Sequence, residues 1–113
     1  MRVRAQRDHQ VPRRPPLRVE PGDVVEVLDR DSEWPSFVFV TCLAGEGWVP
    51  DRHLDRSQGP TTVVTGYDTT ELAVAAGEMV TVMERDDTSG WWWCRSDAGN
   101  EGWVPTRVFT GDV

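Results

Sequence analysis

The most constraining feature of this chain is an internal repeat. The pentapeptide Glu-Gly-Trp-Val-Pro occurs at residues 46–50 and again at residues 101–105. The similarity extends without a gap when residues 17–54 are placed on residues 72–109. Solenoid repeats are shorter, and they usually need at least three units to build a shared core. The repeat therefore predicts two copies of one small domain.

Both copies have the pattern of short β-strands. In the second copy, the segment 78–83 alternates as a half-buried strand does, with Met79, Thr81 and Met83 on one face and Val80 and Val82 on the other. The polar segment 97–100 contains a glycine and separates two further strands, which predicts a hairpin. The strands that we expect lie near residues 3–6, 23–28, 36–41 and 46–49 in the first copy, and near 78–83, 91–96 and 101–104 in the second.

The predicted fold class is all-β, because neither copy contains the pattern of a long helix. Short strands at regular spacing indicate small antiparallel barrels. We expect two tandem domains, residues 1–56 and 62–113, joined by a polar linker at residues 57–61.

Charge and composition limit the classes of partner. The net charge is −7, and residues 21–113 hold six arginines against seventeen acidic residues. An acidic body argues against nucleic acid and favours basic or neutral partners. No apolar run approaches the roughly 20 residues needed to span a bilayer, and residues 1–18 lack a signal-type hydrophobic stretch. We expect a cytoplasmic protein without a membrane partner, and basic residues that are all arginine suggest a bacterial genome.

The residues that usually perform catalysis are sparse. His9 and His53 are the imidazoles of the chain, and neither has a histidine at the equivalent position of the other copy. Cys42 and Cys94 also fall at unrelated places in the repeat, so we interpret both as free buried thiols. Neither a phosphate-binding glycine loop nor a metal-ligand spacing is present. We predict a non-enzyme with no cofactor and no metal.

Three motifs of the second copy carry a family resemblance. Residues 72–78 resemble the ELxxxxGE stretch of the Src-homology 3 (SH3) family, Trp91-Trp92 its paired tryptophans, and residues 102–105 its closing G-[WYF]-[VI]-P. The second copy is similar to an SH3 domain over residues 63–109. The first copy resembles a divergent version through residues 22–23 and 47–50, and the pair resembles bacterial tandem SH3 proteins.

The resemblance implies a binding site. SH3 domains are non-catalytic modules that bind proline-rich peptides in a shallow groove of aromatic rings beside an acidic pocket. Here Thr65 replaces one groove tyrosine, and Arg107 lies in the segment that often carries another groove aromatic. Carried over by position, the groove of the second copy comprises Tyr67, Asp68, Glu71, Asp86, Asp87, Trp91, Trp103 and Pro105.

A second, weaker patch is expected on the first copy. Trp34, Trp48 and Pro50 would form it, with Asp31 and Glu33 as acids, or these rings would serve domain packing instead. Residues 12–18 resemble a proline-rich ligand, but Leu17 aligns with a core position, so we interpret this segment as a long loop stiffened by proline.

Two functions remain open at this point. The first is a peptide- or protein-binding module that takes proline-rich or basic segments. The second is a structural or assembly protein whose aromatic surfaces are buried between domains or in a homodimer, so that self-association replaces ligand binding.

Overall fold

The computed structural model describes residues 1–110, and this part of the chain is built from antiparallel strands without an α-helix. The prediction of an all-β fold is confirmed. The strands are β1 (Arg2–Arg4), β2 (Arg18–Val19), β3 (Val24–Leu28), β4 (Phe37–Cys42), β5 (Gly45–Pro50), β6 (Gly59–Thr62), β7 (Tyr67–Asp68), β8 (Met79–Asp86), β9 (Trp91–Ser96) and β10 (Glu101–Pro105). Short 3-10 turns follow β5 at Asp51–His53 and β10 at Thr106–Val108. Over the described residues, no helix is long and apolar enough to cross a membrane.

The chain divides into two compact units that interleave along the sequence. Unit 1 consists of Met1–Arg14 together with the described residues from Thr70 onward, and unit 2 is the continuous segment Pro15–Thr69. The units differ from the predicted domains, residues 1–56 and 62–113, because the domains follow the repeat whereas the units follow strand pairing. The predicted linker also contributes to a strand, since β6 begins at Gly59.

Unit 1 contains a four-stranded sheet in the order β1-β8-β9-β10. Val80 and Val82 of β8 point into the core, as their alternation predicts, and Cys94 and Val104 pack with them. A register shift in β8 between Val82 and Glu84 marks a β-bulge opposite β9.

Unit 2 contains a four-stranded sheet in the order β5-β4-β3-β6 and a separate two-stranded pair, β2-β7. Its core comprises Leu17, Val19, Val25, Val40, Val49, Leu54 and Val63. In the described residues these sheets are open and no closed barrel is found, so the predicted closure into two barrels is not observed.

The interleaving results from an exchange of equivalent N-terminal strands. β1 precedes the first copy of the repeat but pairs with β8 of the second, and β6 precedes the second copy but pairs with β3 of the first. The backbone hydrogen bonds match: Ala5 donates to the Glu78 carbonyl, and Val63 donates to the carbonyl of Asp23, the repeat equivalent of Glu78. Ala5 and Val63 are both buried. Each copy of the repeat is thus completed by the strand that precedes the other copy.

The strand register also corrects the gapless alignment. Phe37 pairs with Pro50, and Trp91 pairs with Pro105, so Phe37 is the structural counterpart of Trp91. The gapless alignment instead places Ser36 opposite Trp91, because unit 2 has one more residue than unit 1 before β4 and one fewer in the hairpin that follows. The two differences compensate, and the two pentapeptides therefore stay aligned in the gapless register.

Candidate functional site

Each unit presents a pair of edge-to-face rings at equivalent positions. In unit 1, the rings of His9 and Trp91 have centroids 5.6 Å apart at an interplanar angle of 77°. In unit 2, the rings of Phe37 and Tyr67 have centroids 6.4 Å apart at 68°. Edge-to-face contacts of this kind are favourable aromatic geometry. All four residues are partly buried.

The strand exchange explains which rings meet. His9 forms an isolated bridge with Val74, and Tyr67 pairs with Val19, the repeat equivalent of Val74. His9 therefore occupies in unit 1 the position that Tyr67 occupies in unit 2. Tyr67, which we expected beside Trp91, lies in the other unit.

A carboxylate adjoins the ring pair of unit 1. His9 Nε2 lies 2.8 Å from Glu71 Oε1, and the side chains are 12% and 22% exposed. Glu71 is held in place by a parallel bridge to Trp103, where Leu72 N donates to the Trp103 carbonyl at 3.1 Å. Glu71, one of the predicted groove acids, is thus connected to Trp91 through His9 and already has an imidazole partner.

Gly102 allows this close approach. A Cβ built on Gly102 would lie 2.5 Å from the Glu71 carbonyl carbon and 2.6 Å from Leu72 N. The segment carrying Glu71 therefore packs directly on the backbone of β10. The lack of a side chain at Gly102 helps to set the position of the carboxylate.

The three consecutive tryptophans have different neighbours. Trp92 stacks on Phe109 with centroids 5.6 Å apart, and its Nε1 donates to Asp87 at 3.0 Å. Trp93 packs edge-on against Trp103, and its Nε1 donates to Glu101 at 2.8 Å. Trp92 and Trp93 therefore each have an aromatic partner and a carboxylate that accepts from the indole N–H, whereas the ring of Trp91 meets His9.

The other predicted acids of the second copy differ from Glu71 in their roles. Asp86 shapes the loop after β8, because its Oδ1 accepts from Ser89 N at 3.3 Å and its carbonyl accepts from Gly90 N at 3.0 Å. Asp87 is exposed and holds the indole N–H of Trp92. Asp68 lies in unit 2, where it pairs with Arg18 across the β2-β7 ladder.

Two predicted groove residues lie in the interior. Trp103 is 8% exposed, and Pro105 is fully buried next to Trp91 in the sheet. In unit 2, Pro50 is likewise fully buried opposite Phe37. These residues support the ring pairs from within the fold and offer little surface of their own.

Unit 2 adds a second imidazole to its ring pair. His53 packs edge-on against Tyr67 with centroids 5.2 Å apart, and its Nδ1 lies 3.2 Å from the Gly66 carbonyl. Trp48 contacts Phe39 edge-on at 5.1 Å, which repeats the contact of Trp93 with Trp103.

Trp34 is half-buried in the loop before β4, and its backbone N–H donates to Ser32 Oγ at 2.9 Å. Its carbonyl accepts from Phe37 N at 3.0 Å. The loop that carries Trp34 therefore leads directly into the strand that carries Phe37.

Sequence reasoning missed His9, Phe37 and His53 as neighbours of the predicted site. The signal for Phe37 was present, since it is an aromatic residue one position from the place where the alignment put Ser36. No comparable signal existed for His9, because its position depends on which copy its strand joins.

The thiol of Cys94 and the ring pairs differ in their chemistry. Burial raises the pKa of the Cys94 thiol to about 11, so this group is neutral and a poor nucleophile near neutral pH. No group of three or more histidine, cysteine or acidic side chains that could hold a metal ion occurs within residues 1–110. The ring pairs, by contrast, provide rigid apolar surface beside polar groups, the combination that peptide grooves use.

Comparison with known proteins agrees with the motifs of the second copy. Residues 63–108 match the family model of the variant SH3 domain. No curated protein matches the chain. Of the matched segment, residues 63–69 lie in unit 2 and residues 70–108 in unit 1. Residues 63–108 of this chain are therefore similar to a variant SH3 domain.

Proposed function

We propose that this protein is a non-catalytic interaction module that binds proline-rich or basic segments of other proteins. An SH3 domain suggests a protein-interaction module. The observation that carries the finer proposal is the recurrence of a half-buried edge-to-face ring pair at equivalent positions, His9 with Trp91 and Tyr67 with Phe37. Two occurrences in units of different sequence favour a shared role in ligand contact.

Each element of the sites suits an extended, proline-containing ligand. Flat aromatic rings pack against proline rings, and a preformed polyproline II segment loses little entropy on binding. A ligand arginine would be attracted to Glu71 in unit 1 or to Asp68 in unit 2, and the net charge of −7 favours basic ligands at longer range.

The two sites differ in the selectivity that we expect. In unit 1, a ligand arginine must share Glu71 with His9, whose ring nitrogen is already 2.8 Å away. In unit 2, the ring pair is joined by the half-buried His53. We expect weak, transient binding at each site, with less than about 1,200 Å² of total buried surface. Cys42 and Cys94 are both free thiols, which fits a reducing compartment such as the cytoplasm.

Single ring deletions test the proposal. Peptide binding is measured by fluorescence anisotropy with labelled, arginine-containing proline-rich peptides, for the wild type and for Trp91→Ala and Phe37→Ala. Leu43→Ala serves as the control, because Leu43 is fully exposed on the hairpin between β4 and β5. We expect Trp91→Ala to weaken binding at least about tenfold, the equivalent of 1.4 kcal/mol, with an unchanged circular dichroism spectrum. Saturable binding that is identical in all four proteins would contradict the proposal.

The assembly function makes the opposite prediction. If the ring pairs are buried in a homodimer, sedimentation will show a concentration-dependent dimer, and acrylamide quenching of tryptophan fluorescence will fall as the dimer forms. In that case no peptide in the panel will bind, and Trp91→Ala will shift the chain toward monomer.

A further inference from the structure

The N-terminal segment, residues 1–10, contacts the rest of unit 1, and part of it pairs there as a β-strand. Val3 pairs with Val80, and Ala5 is buried in the core of unit 1. Backbone hydrogen bonds join Ala5 N to the Glu78 carbonyl at 2.8 Å, and Gln6 N to the Val108 carbonyl at 2.6 Å. The segment therefore fills a specific site along the edge of β8.

Side chains of the N-terminal segment add to this specificity. Arg2 makes two hydrogen bonds to the carboxylate of Asp97, at 2.9 and 3.2 Å. Asp8 Oδ1 accepts from Ala76 N at 2.7 Å, and His9 reaches Glu71 and the ring of Trp91. Contacts along the whole segment distinguish this binding site from a nonspecific sheet edge.

The connector that follows is simple in structure. Residues 11–16 form no strand, and Val11, Pro12, Arg13, Pro15 and Pro16 are exposed. Leu17 then enters the core of unit 2. The connector can therefore change path without the loss of buried apolar contacts, and its three prolines favour an extended conformation.

We propose that a second copy of this chain binds through this site, by reciprocal exchange of the N-terminal segments. Each segment would leave its own unit 1 and make the same contacts in the unit 1 of the partner molecule. Because the contacts are identical in both states, the equilibrium is set by the connector and by protein concentration. A short connector gives an effective concentration in the millimolar range, so monomers dominate in dilute solution and exchanged dimers form near that concentration.

Direct pairing through the edge strands β1 or β6 is a poor alternative route to a dimer. β1 is an edge strand with the exposed arginines Arg2 and Arg4, and β6 is an edge strand that contains Pro60, which has no N–H to donate. Charged residues and proline on edge strands oppose edge-to-edge association. Exchange instead uses a site that this chain's own sequence already fits.

The exchange would affect the candidate binding site. His9 belongs to the N-terminal segment, so in the dimer each ring pair with Trp91 would combine residues of two molecules. The site of unit 1 is then completed in trans. Dimer formation would preserve the site as long as both segments are bound.

Disulfide trapping in the full-length chain tests this proposal. Arg4 and Met79 are direct partners across β1 and β8, and paired residues of antiparallel strands lie within disulfide range. The single variants Arg4→Cys and Met79→Cys are each made in a Cys42→Ser background. They are mixed, unfolded, refolded and oxidised at about 10 µM and at about 1 mM. The first concentration is below the effective concentration of the segment at its own site, and the second is near it. We expect a heterodimer linked through positions 4 and 79 at the higher concentration, with at least tenfold greater yield than the control pair.

The control pair is Arg4→Cys with Val24→Cys. Val24 is the repeat equivalent of Met79 and pairs with Thr62 of β6, so β1 should not reach it. A yield of the control heterodimer equal to that of the 4–79 heterodimer would overturn the proposal, as would the absence of any 4–79 heterodimer at the higher concentration. Sedimentation of the wild type, refolded at both concentrations, gives a test without substitutions, and a monomer under both conditions would also overturn it.

Discussion

Replacing Gly102 with alanine should destabilise unit 1 strongly. The added Cβ would lie 2.5 Å from the Glu71 carbonyl carbon and 2.6 Å from Leu72 N, and both atoms belong to the backbone. Relief of this overlap requires the segment at residues 70–72 to move away from β10 by about 1 Å, since ordinary contacts of this kind lie near about 3.5 Å. The movement would strain the hydrogen bonds from Leu72 N to the Trp103 carbonyl and from Trp103 N to the Thr70 carbonyl.

The expected cost follows from these contacts. Overpacking costs about 1–3 kcal/mol, and each weakened hydrogen bond adds about 0.5–1.5 kcal/mol. We therefore expect Gly102→Ala to lower the free energy of unfolding by about 2–6 kcal/mol, a large part of the roughly 5–15 kcal/mol of an ordinary domain. The same movement displaces Glu71, so peptide binding to unit 1 should also weaken.

Gly47 provides the matched control, since it occupies the equivalent place in β5 of unit 2. A Cβ there would meet the side chain of Thr69, with Cγ2 at 3.3 Å. A methyl group can yield by a few tenths of an ångström, and alanine gains about 0.5–1 kcal/mol over glycine in backbone entropy, so Gly47→Ala should change stability by less than about 1 kcal/mol. Urea denaturation followed by tryptophan fluorescence measures both variants. Equal destabilisation of the two would refute the steric argument.

Two further predictions concern unit 2 and the buried thiol. A fragment of residues 15–69 should fold cooperatively, because it contains every strand of unit 2. A fragment of residues 1–56 lacks β6 and β7, so it should show broad thermal melting by circular dichroism. A sharper transition in the 1–56 fragment than in the 15–69 fragment would contradict the strand exchange. Because burial raises the pKa of Cys94 to about 11, the unfolded chain loses this proton at lower pH than the folded chain, so the free energy of unfolding should fall between about pH 9 and pH 11 by up to about 3 kcal/mol. Denaturation at several pH values should show that Cys94→Ala removes this part of the slope, and an identical slope in both proteins would mean that the thiol titrates normally.

Local structure was predictable from the sequence because it depends on patterns a few residues long. The alternation of residues 78–83 marked β8, with Val80 and Val82 inward, and the polar segment 97–100 marked the hairpin between β9 and β10. The repeated pentapeptide marked β5 and β10. These features require only local alternation and turn chemistry.

The partner of each N-terminal strand was not predictable in the same way. Ala5 and Val63 both present a small or β-branched apolar residue to an equivalent site, so the residue pattern alone does not show which copy of the repeat each strand completes. The choice depends on the path of the chain between the copies, which alternation does not encode. For this reason we expected Tyr67 beside Trp91, where the structure places His9.

The candidate site was predicted in part. Trp91 and Glu71 do lie around one site, joined through His9. Trp103 and Pro105 are buried, with the ring of Trp103 packed against Trp93 and Pro105 paired with Trp91. Phe37 was missed because one insertion and one deletion compensate within the repeat.

The most direct test of the central claim is a backbone-amide NMR titration of the intact chain with arginine-containing proline-rich peptides. Binding at the ring pairs predicts saturable shifts at His9, Glu71 and Trp91, or at Phe37 and Tyr67, while the amides of the hairpin around Leu43 stay unchanged. Shifts confined to other surfaces, or the absence of saturable shifts across the panel, would contradict the proposal that these ring pairs are peptide-binding sites.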